Sequence, residues 1–295
     1  MEDSFAAPRS LSSFTPAAQT TGPIVDLGYA RYRGAVNDTT SVTSYLGIRF
    51  AEPPVEDLRW RAPQPPKRLP GVQSATIVPP LCPQGFINIS IPGGIPPPDL
   101  TNVSEDCLFL SAATFDGTNL VRESNDGVIV VTIQYRLGIF GFMAGKKLKE
   151  NGDLNAGLRE SHSIRMHTSK LAKYGDTVDQ ELALKWVQQH VCRVFDPHTQ
   201  ASQMTFTADR QVRWRLQASH HMGTISRCAD ATDPLTCLRA SNTSILQAAN
   251  DKACRSGFYG TSVVVPVVDG EFITQRPSEA LRQRRVNGVR TRINH

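Results

Sequence analysis

The sequence predicts an α/β domain, and two segments carry that prediction. Residues Gly127–Tyr135 (GVIVVTIQY) form a continuous, β-branched apolar run, as expected of a strand buried on both faces of a largely parallel sheet. Downstream, Gln180–Val191 (QELALKWVQQHV) places apolar side chains at helical spacing, and Asp179 is a candidate N-cap. A buried strand followed by a helix is typical of an α/β fold.

The N-terminal elements are shorter. Residues 1–23 are rich in Ser, Thr, Ala and Pro and lack the positively charged region and the apolar region of a secretory signal peptide, so we expect a flexible leader. We predict strands at Ile24–Leu27 and Thr43–Leu46. The Pro-rich stretch Phe50–Pro70 must be loop, because proline removes a backbone donor and fixes φ.

The C-terminal elements follow the same reasoning. We predict a short helix at Asn242–Asn250 and a second apolar strand at Ser262–Val268. Asp269-Gly270 after that strand favours a turn.

The excess of positive over negative charge lies in three stretches. The chain has 295 residues and a formal net charge of +5, which equals the charge of the five arginines in residues 282–295. Residues 159–178 and 193–222 are also net positive, so the remainder is mildly acidic. This distribution argues against a nucleic-acid-binding protein, which would carry a basic helix face. The apolar runs fall short of the roughly 20 residues of a membrane span, so we expect no integral membrane segment.

The six cysteines favour disulfides over a metal site. Cys228 and Cys237 flank a short Asp/Pro loop, and Cys82 and Cys107 enclose a Pro/Gly-rich loop that a crosslink would order. Neither pair has the clustered spacing of a zinc site, although buried free thiols remain the alternative.

Four N-x-S/T sequons are glycosylation candidates, at Asn37, Asn88, Asn102 and Asn242. Together with the cysteines, they favour an oxidising, extracellular compartment for the parent protein. The N-terminal residues show no signal peptide that would support this.

Several long segments, in order along the chain, are similar to those of one family. They are Tyr45–Pro66 (YLGIRFAEPPVEDLRWRAPQPP), Ser104–Leu110 (SEDCLFL), Asp116–Phe142, Asn151–Leu158 (NGDLNAGL), Asp179–Val191, Cys228–Leu238 and Val265–Leu281. Together they resemble the N-terminal half of the type-B carboxylesterase family, which includes the cholinesterases and secreted fungal esterases and lipases. The last two segments resemble fungal members in particular.

The resemblance implies an α/β-hydrolase fold over residues 24–281 that cleaves a small-molecule or lipid carboxylic ester without a cofactor. It also implies secretion, and it places Cys82–Cys107 and Cys228–Cys237 where the family's first two disulfides occur. The family's mechanism uses a serine nucleophile, a histidine base oriented by an acid, and an oxyanion hole of backbone N–H groups.

The catalytic parts of that mechanism are missing from this sequence, so we assign no catalytic residue. No G-x-S-x-G nucleophile elbow occurs. The Gly-rich oxyanion loop, and the central strand before it, are absent near Ala113, where the sequence passes directly to a later family segment. Only His190 lies in matching sequence, on a helix that the family does not use for catalysis. We therefore expect an α/β-hydrolase fold lacking central strands and the elbow.

Substitute chemistry has weak support. Cys254 and Ser256 are conceivable nucleophiles, Asp269 and Glu271 are a carboxylate pair, and His220-His221 are conceivable metal ligands. No motif places partners beside them, so we expect structural roles. The alternative functions are a non-catalytic, cholinesterase-like binding module and, less favoured, a nucleic-acid-binding protein acting through the tail at 282–295. The sharp edges of 159–178 and 193–222 indicate retained or out-of-frame coding segments.

Overall fold

A computed structural model describes residues 19–85, 101–111, 116–150, 154–157, 179–195, 228, 230–256, 264–270 and 273–283. Strands precede most helices along these residues. The strands are β1 (Gln19–Asp26), β2 (Arg31–Asn37), β3 (Thr43–Ser44), β4 (Ile48–Arg49), β5 (Val72–Ser74) and β6 (Phe109–Leu110). The helices are α1 (Thr118–Glu123), α2 (Gly138–Phe142), α3 (Lys146–Glu150), α4 (Asp179–Phe195), α5 (Pro234–Arg239), α6 (Thr243–Arg255) and α7 (Pro277–Arg282).

Strand β2 organises the larger sheet. It pairs antiparallel with β1 and β3 and parallel with β5. β1 begins at Gln19, opposite Asn37, so the prediction of a flexible leader reaching residue 23 is wrong for residues 19–23. Backbone pairing with β2 orders them. The remaining leader residues, 1–18, lie outside the described residues.

The other N-terminal predictions are close to the structure. The predicted strand Ile24–Leu27 ends one residue early, at Asp26, and Thr43–Leu46 is reduced to Thr43–Ser44. The Pro-rich stretch Phe50–Pro70 is loop, as predicted, with a single 3-10 turn at Glu56–Leu58.

The segment Gly127–Tyr135 differs from its prediction. It is extended beside β6, where Ser111 N–H donates to Thr132 O at 2.7 Å and Gln134 N–H donates to Phe109 O at 3.1 Å. The segment does not form a regular β-strand, and the side chains of Val128 and Ile129 are 46% and 51% exposed. Burial on both faces is therefore wrong for these two residues. Among the described residues only the short edge at 109–111 pairs with the segment, which leaves its first residues uncovered.

Helix α4 confirms the predicted helix and extends it to Phe195. Its buried face carries Ala183, Trp186 and Val187, which belong to the same apolar cluster as buried residues of the strands. The N-cap prediction for Asp179 is wrong, because the helix begins at Asp179 itself and the carboxylate binds Arg136 instead.

The C-terminal helix prediction is confirmed and the strand prediction is wrong. Helix α6 is capped by Asn242, whose Oδ1 accepts from Ser244 N–H at 2.8 Å, and continues past Asn250 to Arg255. Residues 264–268 form no strand, because the side chain of Asn155 takes up both the N–H and the carbonyl of Val267. Ser262 and Val263, the first two residues of the predicted strand, lie outside the described residues. A turn does follow, where Gly270 adopts φ +91° and donates to Ile273 O.

The described residues bury two apolar clusters. One joins the sheets to α4 through Phe50, Leu108, Leu110 and Trp186. The other joins Trp60 to α2, α3, α5 and α6 through residues such as Ile139, Leu235 and Leu246. Within the described residues, none of the helices combines the length and apolarity needed to cross a bilayer.

Candidate functional site

A buried ion pair connects the two apolar clusters. The Arg59 guanidinium meets the Glu105 carboxylate at two points, Nε–Oε2 at 2.6 Å and Nη2–Oε1 at 2.8 Å. The side chains are only 6% and 4% exposed. A two-point contact suits a buried pair, because both carboxylate oxygens keep charge-assisted hydrogen bonds after they leave water.

Arg59 also holds the polypeptide that links α5 to α6. Its Nη1 donates to Arg239 O at 2.6 Å and to Ser241 O, and its Nη2 donates to Thr243 Oγ1 at 3.1 Å. In return, Arg239 Nε donates to the Arg59 carbonyl at 3.1 Å. The carbonyls after a helix lack intrahelical partners, and a buried cation satisfies them.

A second buried ion pair fixes the start of α4. Asp179 Oδ2 accepts from Arg136 Nε at 2.8 Å and from Arg136 N–H at 2.9 Å, and Oδ1 accepts from Nη2 at 2.7 Å. The side chains are 3% and 0% exposed. Gly141 and Gly157 lie against the Arg136 carbonyl so closely that a Cβ would come within 2.2 Å and 2.1 Å of its oxygen. The arginine therefore sits in a cradle that only glycine allows at these two positions.

A small cavity lies between the ion pairs. It has a volume of about 10 Å³, and Arg59, Glu105, Arg136, Trp60 and Phe140 contribute to its wall. Arg136 Nη1 is buried and has no hydrogen-bond partner among the described residues. The volume is on the order of one water molecule, whereas ligand pockets occupy roughly 300 Å³ or more. This cavity therefore cannot hold an ester substrate.

The candidate thiol nucleophile is buried in the helical cluster. Cys254 is 5% exposed, and burial, with a smaller contribution from the Asp251 charge, raises the pKa of its thiol to about 11. Its Sγ lies 3.7 Å from Asn250 Oδ1, and a Cβ at Gly85 would come within 2.2 Å of it. A reactive cysteine needs a lowered pKa and access to solvent, so this environment favours an inert structural thiol.

The other proposed catalytic groups are engaged in local structure. Ser256 Oγ donates to Ala253 O at 2.7 Å, at the end of α6. Asp269 Oδ2 accepts from Asn155 Nδ2 at 2.9 Å, and Oδ1 accepts from Ile273 N–H at 2.8 Å. Glu271, His220 and His221 lie outside the described residues. Within the part of the chain that the structure describes, no three His, Cys, Asp or Glu side chains are grouped to hold a metal ion.

His190 packs in an aromatic cluster on α4. Its ring centroid lies 4.8 Å from that of Trp186 and 5.9 Å from that of Tyr29. Tyr29 donates its hydroxyl proton to Arg49 O at 2.7 Å and accepts from Trp186 Nε1 at 3.0 Å. Burial, above all, raises the pKa of Tyr29. These contacts join α4 to the sheets and bring neither Cys254 nor Ser256 to the histidine.

Both anticipated cysteine pairs are bonded in the structure. Cys82–Cys107 and Cys228–Cys237 are disulfides, and Cys254 is a free thiol. Cys107 is two residues from Glu105, the partner of Arg59, in the sequence. The side chain of Cys192 lies outside the described residues.

The described sequons differ in exposure. Asn102 and Asn242 are exposed, and Asn37 is half-buried with its Oδ1 accepting from Thr39 and Thr40 N–H groups. Asn88 lies outside the described residues.

Part of the sequence matches a model of a known protein family. Residues 21–114 and 109–162 match the model of the carboxylesterase family. Residues 21–162, the N-terminal part of the chain, are therefore similar to the carboxylesterase family. The matched ranges include Arg59, Glu105 and Arg136, three of the four members of the buried ion pairs.

Individual relatives agree with this family. The chain is 32% identical to the rat pyrethroid hydrolase Ces2e over 209 residues, which cover 58% of this chain and 32% of the relative. It is 26% identical to mouse acylcarnitine hydrolase over 292 residues, which cover 83% of this chain and 50% of the relative. The chain thus spans about a third to a half of the length of these curated relatives.

The solved structure of Aspergillus niger EstA shares the fold. It superposes with a TM-score of 0.63 at 25% identity, over 89% of this chain and 57% of that chain. The carboxylesterase scaffold is therefore an α/β-hydrolase fold, as the sequence predicts.

Sequence reasoning missed three of the four charged residues in the buried ion pairs, and it gave the fourth, Asp179, a different role. Arg59, Glu105 and Arg136 lie inside the family-like segments, but nothing in their spacing indicates their partners. A usable signal was present for Arg136, because it directly follows a long apolar run. Charged residues in such positions are rarely buried unless they are paired.

Proposed function

We propose that the protein descends from hydrolases of small-molecule or lipid carboxylic esters, and that this 295-residue chain does not hydrolyse esters by the serine mechanism. One observation carries the proposal: the sequence contains no G-x-S-x-G, the turn that exposes the nucleophile in this fold. Without that serine, no covalent acyl intermediate can form by the family route.

A second observation concerns the oxyanion loop. The two ranges that match the family model meet at residues 109–114, where we propose that the loop and its strand are deleted. An oxyanion hole contributes roughly 10²–10³ in kcat per donor, so its loss would disable hydrolysis even if another nucleophile acted.

Cys254 and Ser256 do not replace the lost serine under this proposal. The thiol is buried with a raised pKa, and the hydroxyl is bonded to the carbonyl of Ala253. Among the described residues, neither group is hydrogen-bonded to a histidine or a carboxylate that could accept its proton.

The test is hydrolysis of p-nitrophenyl acetate and p-nitrophenyl butyrate by the purified chain, together with labelling by a fluorophosphonate probe. We expect release of nitrophenol at the rate of the heat-denatured sample, and no labelled band. Aspergillus niger EstA serves as the active control. Turnover that the phosphonate abolishes would overturn the proposal, and the labelled peptide would identify the nucleophile.

The two internal non-matching stretches receive a separate proposal. We propose that 159–178 and 193–222 are retained or out-of-frame coding segments, because the family-like sequence stops at Leu158 and resumes at Asp179. Sequencing of the transcript should find a shorter message in which the codon for Leu158 is followed directly by the codon for Asp179. An abundant spliced message that encodes both stretches would contradict this origin.

A non-catalytic binding module is the second candidate function. The two disulfides and the buried Arg59–Glu105 and Arg136–Asp179 pairs favour it, because they are scaffold features that hold without a catalytic centre. This function would require a secreted, monodisperse chain with both disulfides formed and no esterase activity. A chain that the secretory pathway retains and degrades would contradict it.

We propose an extracellular, disulfide-bonded and glycosylated state for the parent protein, and no binding to nucleic acid. The Arg-rich residues 282–295 provide a direct test of the latter. DNA affinity that falls steeply with salt, and disappears when these residues are removed, would contradict the expectation.

A further inference from the structure

We infer that Asn242 is an N-glycan attachment site whose side-chain amide keeps its structural role after modification. This inference rests on the proposed secretory compartment. The sequon is Asn242-Thr243-Ser244, at the junction between α5 and α6.

The two ends of the Asn242 amide have separate surroundings. Oδ1 accepts from Ser244 N–H at 2.8 Å and thereby caps α6, a helix of 13 residues. Nδ2 has no hydrogen-bond partner among the described residues, and the residue is exposed. An N-linked sugar is attached at Nδ2 and leaves Oδ1 free to accept, so the modification preserves the cap.

The polypeptide around the sequon is held in place from inside the protein. Arg59 donates to the carbonyl of Ser241 and to the hydroxyl of Thr243, the two residues that flank Asn242. These partly buried contacts hold the backbone on both sides of Asn242, and the Asn242 side chain itself is exposed. The nearby Cys228–Cys237 disulfide closes the preceding loop. A glycan at Asn242 would therefore stand on a fixed surface, over the start of α6.

The other described sequons lack this arrangement. Asn37 is half-buried and uses Oδ1 for two N–H groups within its own turn. Asn102 is exposed and its backbone is held by hydrogen bonds to Leu81, but its side chain caps no helix among the described residues. Asn242 combines exposure, a satisfied Oδ1 and a fixed backbone.

The chemical step is a glycosyl transfer. An oligosaccharyltransferase moves the oligosaccharide from a lipid diphosphate donor to the asparagine. The bond from sugar C1 to Nδ2 forms, the bond from C1 to the phosphate oxygen breaks, and the lipid diphosphate leaves. Nδ2 loses one proton to the enzyme's base.

The test uses the full chain with a cleavable secretory signal, expressed in a eukaryotic host. Secreted and cell-retained pools are both treated with peptide N-glycosidase in H₂¹⁸O, and the peptide containing Asn242 is analysed by mass spectrometry. The enzyme converts a glycosylated asparagine to an aspartate that carries ¹⁸O, and we expect this conversion at Asn242 in at least one pool. Recovery of the unmodified Asn242 peptide from both pools would overturn the inference.

Three variants separate modification from capping. Asn242→Asp keeps an oxygen acceptor but removes the attachment nitrogen, and Ser244→Ala keeps the asparagine but destroys the sequon. Each should lose one glycan-sized step in gel mobility, whereas the matched control Ser244→Thr should keep it. A step that persists in Ser244→Ala would overturn the assignment to this sequon. The esterase assay is independent, so either proposal can fail without the other.

Discussion

Arg136 and Asp179 form a two-point ion pair in which the carboxylate is completely buried and the guanidinium side chain is 3% exposed. The pair connects the end of an apolar segment to the first residue of α4. It determines where α4 starts and how the helix is attached to the rest of the protein.

Replacing Asp179 by Asn should lower the free energy of unfolding by about 3–5 kcal/mol, because Arg136 would be left as an unpaired buried charge. Urea unfolding followed by circular dichroism measures the change. Lys67→Gln is the matched control, since its pair with Glu52 is exposed at the lysine and should contribute about 0–1 kcal/mol. The double variant Arg136→Met/Asp179→Leu should recover much of the loss. Equal effects of Asp179→Asn and Lys67→Gln would contradict this account.

Replacing Arg59 by Lys should destabilise the protein although the positive charge is retained. Lysine cannot make the two-point contact with Glu105 and also reach the carbonyls of Arg239 and Ser241. We expect a loss of about 2–3 kcal/mol, the value of one or two charged hydrogen bonds. Arg68→Lys, at an exposed position, should change the midpoint little. The interpretation is wrong if both variants have the same urea midpoint.

Cys254 should react slowly with thiol reagents in the folded protein. At about pH 8, a thiol with a pKa of about 11 is ionised in roughly one molecule in a thousand. We expect labelling by iodoacetamide to require unfolding, which mass spectrometry of native and urea-treated samples would reveal. Rapid stoichiometric labelling of Cys254 under native conditions would show that the site is open.

The raised pKa of Cys254 also predicts a pH dependence of stability. The folded state binds the thiol proton more tightly than the unfolded state, so this contribution is full below about pH 8.5 and is lost as pH rises toward about 11. In a Cys254→Ala variant, this part of the decrease in stability at high pH should be absent. The comparison of urea midpoints at several pH values measures it, and parallel curves for both proteins would contradict it.

The two disulfides should contribute unequally to stability. Their cysteines are separated by 25 residues in Cys82–Cys107 and by 9 in Cys228–Cys237. On the loop-entropy account, removing the first costs roughly 3–4 kcal/mol and removing the second about 3 kcal/mol. Paired Cys→Ser variants, compared by urea unfolding, test the order. A larger loss from the shorter ring would mean that native-state contacts, rather than loop entropy, dominate.

Local sequence signals predicted local structure well. The helical spacing after Asp179 gave α4, and Asn242 was correctly placed at the start of a helix, because caps and amphipathic spacing act over a few residues. The turn at Asp269-Gly270 followed from the conformational freedom of glycine. The family-like segments, which are long and in order, correctly indicated the α/β-hydrolase fold.

Predictions that depended on neighbours failed. The apolar run at Gly127–Tyr135 is extended, but its first residues are exposed, since a strand is buried only when other layers cover it. Residues 264–268 are apolar yet form no strand, because Asn155 takes up the backbone groups of Val267. Asp179 has the identity of an N-cap, but a buried arginine from a distant segment binds its carboxylate more completely.

The sequence by itself determined the resemblance to the carboxylesterase family, the positions of the main helices, and the lack of a G-x-S-x-G nucleophile elbow, because each of these depends on residues that are close together in the chain. Only the tertiary structure decided the partners of Arg59 and Arg136 and the burial of Cys254. Those properties depend on residues up to 184 positions apart, as in the contact between Arg59 and Thr243, which the packing of the two apolar clusters brings together.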